Sequence, residues 1–289
     1  MNYRHHFHAG NFADVMKHVV LIQLLRALQK KEKGFVYLDT HAGRGSYELA
    51  TAELGDSHPR EPEWPEGVGR RWSESSLSPA VGEYFELVRQ FDHDRGNREA
   101  RPRFYPGSPW FARLLARSQD RLVLCEKHPE EFGFLSNEFR FSPRTTVQLM
   151  DGYIALRAIL PPPERRALVL IDPPYEQSDE FTQTLAGLRD GLARLPGGIF
   201  AIWYPLTERA RVDRFLEELR LLQPPPTMVL ELAIAGERAG FKMMGCGLAV
   251  INPPWKFEAV AQGAMTELGA AMAQGPGAEG SVRWLVPEQ

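Results

Sequence analysis

An apolar run over residues 167–171, Ala-Leu-Val-Leu-Ile, stops abruptly at Asp172-Pro173-Pro174-Tyr175-Glu176. The run has the length and branching of a buried strand, and two consecutive prolines forbid its continuation. Its tip therefore displays a carboxylate, a main chain without N–H at two positions, and an aromatic face. Those parts hold a planar base with an exocyclic amine: acceptors for the amine hydrogens and a ring to stack on. In such a site Asp172 accepts one hydrogen and the Pro173 carbonyl the other. That steers an amine lone pair otherwise delocalised into the base, while Tyr175 stacks on the extruded ring. The plain alternative is a strand-terminating turn with a solvated Asp172.

Asp172-Pro-Pro-Tyr175 resembles the motif of amino-methyltransferases, which move a methyl group from S-adenosylmethionine to adenine N6 or cytosine N4. A glycine loop completes the pairing: Asp39-Thr-His-Ala-Gly43-Arg-Gly45 directly follows the apolar run 35–39. Glycines let a backbone turn tightly and approach a ligand at contact distance. A dinucleotide fingerprint wants a third small residue at position 48, where this chain has Glu48, which counts against NAD(P). S-adenosylmethionine carries no phosphate, so the departure costs it nothing. Glu126, ending Leu122-Val-Leu-Cys-Glu, suits the ribose, since a carboxylate accepts from both hydroxyls. Asp151-Gly152, after the next run, suits the adenine edge. Each acid alone fits a helix N-cap equally well. Three consecutive strands ending in Glu126, Asp151 and Asp172 favour a ligand, because ligands bind at the carboxyl ends of parallel strands.

The elements that must position these groups follow from pattern. Strands are expected over 35–39, 121–126, 145–151, 167–172 and 198–204, with helices over 128–140, 152–160, 179–194 and 207–222. That alternation means a mostly parallel sheet covered by helices on both faces, a Rossmann-like α/β fold. Segments 228–233 and 246–251 suggest a C-terminal antiparallel pair. A helix is expected over 11–33, with Gly34 at its C-terminal cap. One interval breaks the rhythm: Asp39 and Glu126 lie 87 positions apart, where a nucleotide-binding unit spaces its second acid about 20 residues past the glycine turn. Residues 51–103 therefore read as an insertion within a domain that begins in 1–50 and resumes at 104–289. The insertion carries a helix over 79–91, and with eight Arg against eleven acids it is no basic arm. Ser108-Pro109 then opens a helix over 109–117, serine at N-cap and proline at N1, returning Ser108 to the ligand crevice.

At 289 residues, 43% hydrophobic and 25% charged, the chain is of globular composition. Its net charge of −3 makes no global electrostatic case for nucleic acid, so any such site is local. The first 33 residues supply a local excess of +4 and four of the eight histidines. Cys125 and Cys246 are the only cysteines, consistent with a reduced cytoplasmic setting and neither a zinc site nor a disulfide framework. No signal pattern opens the chain and no apolar run reaches membrane-spanning length. His5, His6, His8 and His18 lack acid or cysteine partners at ligand spacing, so no metal is expected.

The run Tyr3-Arg-His…Phe7-His-Ala-Gly-Asn…Ala-Asp-Val…Lys17-His18 is the most specific stretch of the chain. Together with Tyr37-Leu-Asp-Thr-His-Ala-Gly43, Tyr105-Pro-Gly-Ser-Pro109 and Asp172-Pro-Pro-Tyr-Glu176 it resembles the RlmJ family. That family comprises bacterial 23S ribosomal RNA methyltransferases that make N6-methyladenine. The resemblance spans essentially the whole chain. It implies a class I S-adenosylmethionine-dependent methyltransferase fold, S-adenosylhomocysteine as product, 23S ribosomal RNA as partner, and a cytoplasmic monomer. It implies cofactor contacts at His18, His41, Ser108, Glu126, Asp151, Gly152 and Asp172, a substrate role for Tyr3, and His5 and Lys17 near the reacting base. It also makes the insertion a small helical subdomain. Arg44 inside the glycine loop and Phe12 in the N-terminal run depart from the family pattern. A DNA adenine methyltransferase shares the Asp-Pro-Pro-Tyr chemistry, and a non-catalytic RNA-binding protein on the same scaffold is a further alternative. A protein-glutamine methyltransferase would be expected to carry Asn at position 172 and ranks last.

Overall fold

Each predicted β-segment forms a strand: β1 (Val36–Asp39), β4 (Arg121–Glu126), β5 (Thr145–Leu149), β6 (Ala167–Ile171) and β7 (Ile199–Leu206). The computed structural model describes residues 7–49, 61–236 and 241–288, so Tyr3 and His5 lie outside the described residues. β1 lies between β4 and β6, with β5 beyond β4 and β7 beyond β6, all parallel. β8 (Thr227–Ala233) and β9 (Gly245–Ile251) form the expected antiparallel pair, and β9 also runs antiparallel to β7. A third strand, β10 (Glu279–Val286), pairs antiparallel with β8 and closes an eight-stranded sheet. Its Glu-Gly-Ser-Val-Arg start has little apolar alternation, which is why pattern did not find it. β2 (Ser46–Glu48) and β3 (Phe104–Pro106) form a separate hairpin that brackets the insertion.

Helices cover both faces. Side chains alternate across each strand, so Tyr37 joins one core while Val36 and Leu38 join the other. The first core is covered by α1 (Phe12–Gln29), α2 (Pro79–Asp94), α3 (Ser108–Leu115), α4 (Pro129–Glu138) and α8 (Phe257–Ala271). The second lies under α5 (Gly152–Ile159), α6 (Glu180–Arg194) and α7 (Arg209–Leu221). The described part of the insertion adds two 3-10 turns, Trp64–Glu66 and Val68–Arg71, ahead of α2. Val68, Tyr84, Phe85 and Val88 from this segment are buried in the first core.

α1 is enclosed on every side: each residue from Phe12 to Ile22 is buried. Helices buried all round are usually apolar throughout, yet this one carries Asp14, Lys17 and His18 inside. Buried polar groups need partners: Lys17 pairs with Asp14 and with Asp172 at the carboxyl edge of the sheet, Asp14 also with the Gly10 N–H, and His18 with the Tyr105 hydroxyl. Asn11 starts the helix at that edge, its side-chain oxygen accepting from the Ala13 and Asp14 N–H groups, both at 3.0 Å. No described helix is long and apolar enough to cross a membrane.

Candidate active site

A cleft of about 940 Å³ opens at the carboxyl ends of β1, β4, β6 and β7. It is lined by Lys17, His18, His41, Gly43, Ser108, Glu126, Asp172, Pro173 and Tyr175, all singled out from sequence. The first turns of α1, the segments that follow β1 and β4, the insertion and the loops beyond β7 and β8 contribute most of the rest. Lining side chains include eight carboxylates and four Lys or Arg. That excess suits a ligand of net positive charge, such as a sulfonium, and disfavours a free polyphosphate.

Asp172 stands at the first position past β6, where the chain can no longer continue the ladder. Lys17 reaches it from α1: Nζ lies 2.6 Å from Asp172 Oδ2 and 2.8 Å from Asp14 Oδ1. Burial opposes the ammonium, but the two carboxylates outweigh it and hold the Lys17 pKa well above its usual value. Asp14 is fixed in turn, its Oδ2 accepting from the Gly10 N–H at 2.9 Å. Among the described residues Asp172 Oδ1 has no hydrogen-bond partner and remains available to an amine. Asp14 was missed by the sequence reading. Its signal was an acid three residues ahead of a lysine in an otherwise apolar helix.

Tyr175 adopts φ +52°, a left-handed conformation that costs a non-glycine residue roughly 1–2 kcal/mol. Its hydroxyl donates to the Trp203 carbonyl at 2.8 Å, and its ring lies 4.7 Å from Phe181 and 5.9 Å from Trp203. These contacts hold the strained backbone and set the ring's direction. Trp203, from β7, also lines the cleft; nothing in its apolar strand marked it beforehand.

The glycine loop follows β1. Gly43 takes φ +60°, and a Cβ there would come within 2.6 Å of the Tyr47 hydroxyl. Its N–H donates to Glu126 Oε2 at 2.9 Å, and the His128 N–H donates to Glu126 Oε1 at 2.7 Å. Burial raises the Glu126 pKa against these two donors. Each Glu126 oxygen keeps a lone pair for a diol. Arg44, itself on the cleft wall, makes a double hydrogen bond to Glu131 at 2.8 and 2.5 Å and lies over the Phe134 ring.

Asp39 ends β1 fully buried. Its Oδ2 accepts from the Tyr37 hydroxyl at 2.7 Å and from Ser108 Oγ at 2.6 Å. Burial pushes its carboxyl up to about 6, against the Ser108 and Tyr37 hydroxyls that lower it. Ser108 therefore departs from its expected place. Gly107 is the N-cap of α3, and Ser108 is the first helical residue. A buried carboxylate gains more from a hydroxyl donor than a solvated helix end does. Sequence reading treated Asp39 as the edge of a glycine motif; here it ties β1 to α3.

His18 accepts from or donates to the Tyr105 hydroxyl at 2.8 Å and packs 4.7 Å from Phe111. His41 Nδ1 pairs with Thr40 Oγ1 at 2.8 Å, and burial, with Lys127 adding, lowers its pKa to about 4. The imidazole is therefore neutral at physiological pH, and its buried Nε2 has no hydrogen-bond partner among the described residues. An unpaired buried nitrogen beside a glycine loop fits a polar ligand atom. Asp151 and Gly152 are not among the cleft's lining residues. Asp151 caps α5, accepting from the Tyr153 N–H at 2.9 Å, and its Oδ2 lies 3.6 Å from Lys127 Nζ. Gly152 lets α5 pack directly on the β1 loop, since a Cβ would come within 2.2 Å of the Thr40 carbonyl. No group of three or more His, Cys, Asp or Glu residues placed to hold a metal ion occurs among the described residues.

Residues 32–286 match the family model described as "Ribosomal RNA large subunit methyltransferase D, RlmJ". The chain is 39% identical over 289 residues to ribosomal RNA large subunit methyltransferase J of Escherichia coli (strain K12), with both chains covered in full. Its Haemophilus influenzae namesake is 38% identical over 288 residues, again with full coverage of both. Among solved structures, protein LPL1258 from Legionella pneumophila superposes with a TM-score of 0.83 at 35% identity, covering 96% of this chain and 97% of that one.

Proposed function

The chain belongs to the RlmJ family of ribosomal RNA large subunit methyltransferases, and from that premise we propose that it methylates N6 of a specific adenine in 23S ribosomal RNA, using S-adenosylmethionine. The observation that carries this reading is the Asp14–Lys17–Asp172 chain at the rim of the cleft that Gly43 and Glu126 line. An ion pair buried inside an apolar helix is costly unless the site uses it.

S-adenosylmethionine, when bound, supplies an electrophilic methyl group on a positively charged sulfur. The groups that fit it are the unpaired lone pairs of Glu126 for the ribose hydroxyls, the Gly43 turn for close approach, and neutral His41 with an unpaired nitrogen. Ser108 and His18 complete that wall, and Asp151 with Gly152 act from behind by fixing α5 against the loop. The adenine, extruded from its stack, lies against Tyr175. Lys17 fixes Asp172 through Oδ2, so Oδ1 faces the base and accepts one N6 hydrogen. The Pro173 carbonyl accepts the other. With both hydrogens held, the nitrogen lone pair is aimed rather than spread into the ring. The proton that the amine sheds on forming its new bond passes to Asp172 Oδ1. Tyr3 and His5, which lie outside the described residues, take substrate-binding roles in this reading. The enzyme works as a cytoplasmic monomer in this reading, with 51–103 as a small helical subdomain.

Tritiated S-adenosylmethionine assays on unmodified 23S ribosomal RNA and on duplex DNA test the proposal. Label confined to RNA, mapped to a single N6-methyladenine, is the expected result. Label in DNA alone would replace the RNA reading with its DNA counterpart, and label in neither would leave a binding protein.

A further inference from the structure

The edge of the sheet opposite the cleft carries a feature that methyl transfer does not use. Backbone bonds from Val36 to Arg166, Arg121 to Phe35 and Leu122 to Arg144 place the starts of β1, β4, β5 and β6 side by side there. The C-terminal end of α1 arrives at the same edge. Arg117 donates to the carbonyls of Gln29 and Lys31 at 3.0 and 2.9 Å, and Arg166 to those of Leu28 and Lys33. Arginines thus satisfy the helix end, and the neighbouring lysine side chains are left to solvent. Lys30, Lys31, Lys33, Arg144 and Arg165 are all exposed, and none has a carboxylate within ion-pair distance among the described residues. Of the acids beside them, Asp120 is taken by Arg117 and Glu164 by Arg121, leaving Glu32.

The two most exposed large apolar side chains of the described protein lie on this same edge. Phe141, 85% exposed, precedes β5 under the Arg140 guanidinium; Trp255, 76% exposed, follows β9 beside Lys256. β9 and β5 are five strand positions apart in the sheet, or about 24 Å at the usual strand spacing. Cations framed by two unburied aromatic faces are how proteins hold nucleic acid without reading sequence: charge for phosphate, rings for unpaired bases. The cleft, by contrast, has an excess of carboxylates and repels phosphate. An anionic polymer that puts a base into that cleft needs its neutralising contacts elsewhere.

We propose that this edge, with Lys30, Lys31, Lys33, Arg144 and Arg165 between Phe141 and Trp255, is a second RNA contact surface that grips the phosphate backbone of the structured substrate away from the methylated base. The proposal rests on the reading of RNA as substrate. Lys30 lies thirteen positions after Lys17, at the C-cap of α1, so the two sites lie roughly 20 Å apart along the helix. A folded ribosomal RNA segment spans that distance, whereas a hairpin whose stem is shorter than that distance, bound in the cleft, does not.

The test compares the wild type with a Lys30→Ala, Lys31→Ala, Lys33→Ala, Arg165→Ala variant and, separately, Phe141→Ala with Trp255→Ala. Filter binding to a long transcribed 23S segment and to a short hairpin is followed across a salt series, alongside methylation kinetics, thermal unfolding and S-adenosylhomocysteine affinity. On the long RNA the charge variant is expected to bind about 10–100-fold more weakly, with a salt slope smaller by roughly 3. KM should rise with kcat, hairpin binding, unfolding temperature and cofactor-product affinity unchanged. The aromatic variant should lose affinity without losing salt slope. If wild-type methylation is intact and the charge variant matches it in affinity and slope, the surface is refuted while the enzymatic reading stands. If wild type methylates no RNA but its binding still depends on these residues, the surface stands and that reading falls. Wild-type binding to anionic phospholipid vesicles through these residues, with RNA affinity unaltered, would assign the edge to a membrane surface and overturn the proposal.

Discussion

Asp172 is the residue on which chemistry and geometry meet, and its two oxygens have different tasks. Oδ2 is committed to Lys17 at 2.6 Å, and Oδ1 faces the cleft. Asp172→Asn keeps the shape but places an amide where an acceptor pair stood. Turnover is expected to fall by at least about 10²–10³-fold, with S-adenosylhomocysteine affinity by calorimetry unchanged; full turnover in that variant would refute the role. Asp39 makes a separate, pH-linked prediction. Its folded pKa of about 6 lies above the usual 3.8, so the folded state holds the proton more tightly than the unfolded chain. Stability is therefore greatest at low pH for this group and declines as pH rises from about 4 to 6. The loss is on the order of 3 kcal/mol. Urea unfolding of wild type and Asp39→Asn across that range should show wild type losing this stability relative to the variant. Parallel curves would show that Asp39 is not perturbed. At this scale strand-end patterning was informative for Asp172 and Glu126, while Lys17 came only from the family resemblance. Asp39 and Asp14 were not legible, because their importance comes from burial beside partners distant in sequence.

α1 is the element that couples the core to the chemistry. Its first turns carry Asp14, Lys17 and His18 into the cleft, so the N-cap that fixes its start also fixes the site. Asn11 caps two N–H groups, and its amide donates to Glu63 Oε2 at 2.8 Å, binding helix and insertion together. Asn11→Ala should cost about 1 kcal/mol in thermal or urea unfolding and raise KM for RNA, because Lys17 loses its fixed approach. An unchanged KM would show that packing alone sets the helix. Strand limits were read to within a few residues wherever an apolar run ended in an acid or proline. α8, β10 and the β2–β3 hairpin were not foreseen. α8 has no sharp polar face, and short strands such as β2 and β3 exist because another strand pairs with them, which local sequence does not record.

For the whole molecule, the cleft's acidic lining and the basic edge behind it give one protein two faces of opposite charge. The cleft should therefore prefer a cationic cofactor. S-adenosylmethionine at about 100 times its dissociation constant should stabilise the fold by about 2.7 kcal/mol, read as a rise in unfolding temperature. NAD at the same concentration should leave that temperature unchanged; an equal shift would overturn the cofactor assignment.

The sequence alone determined the parallel α/β class, the presence of an interruption between Asp39 and Glu126, and the strand-end rim of carboxylate, prolines and tyrosine at Asp172-Pro-Pro-Tyr175. Those features are local: apolar period, strand-ending acids and prolines act through the chain's own backbone. Tertiary structure decided that Lys17 grips Asp172, that Ser108 serves Asp39 rather than its own helix, and that Asp151 caps α5 outside the cleft wall. It also gathered Lys30, Arg144 and Arg165 on one edge. Each of those outcomes depends on which distant groups share a buried or crowded space, and the free energy of desolving a charge is fixed only when its neighbours arrive.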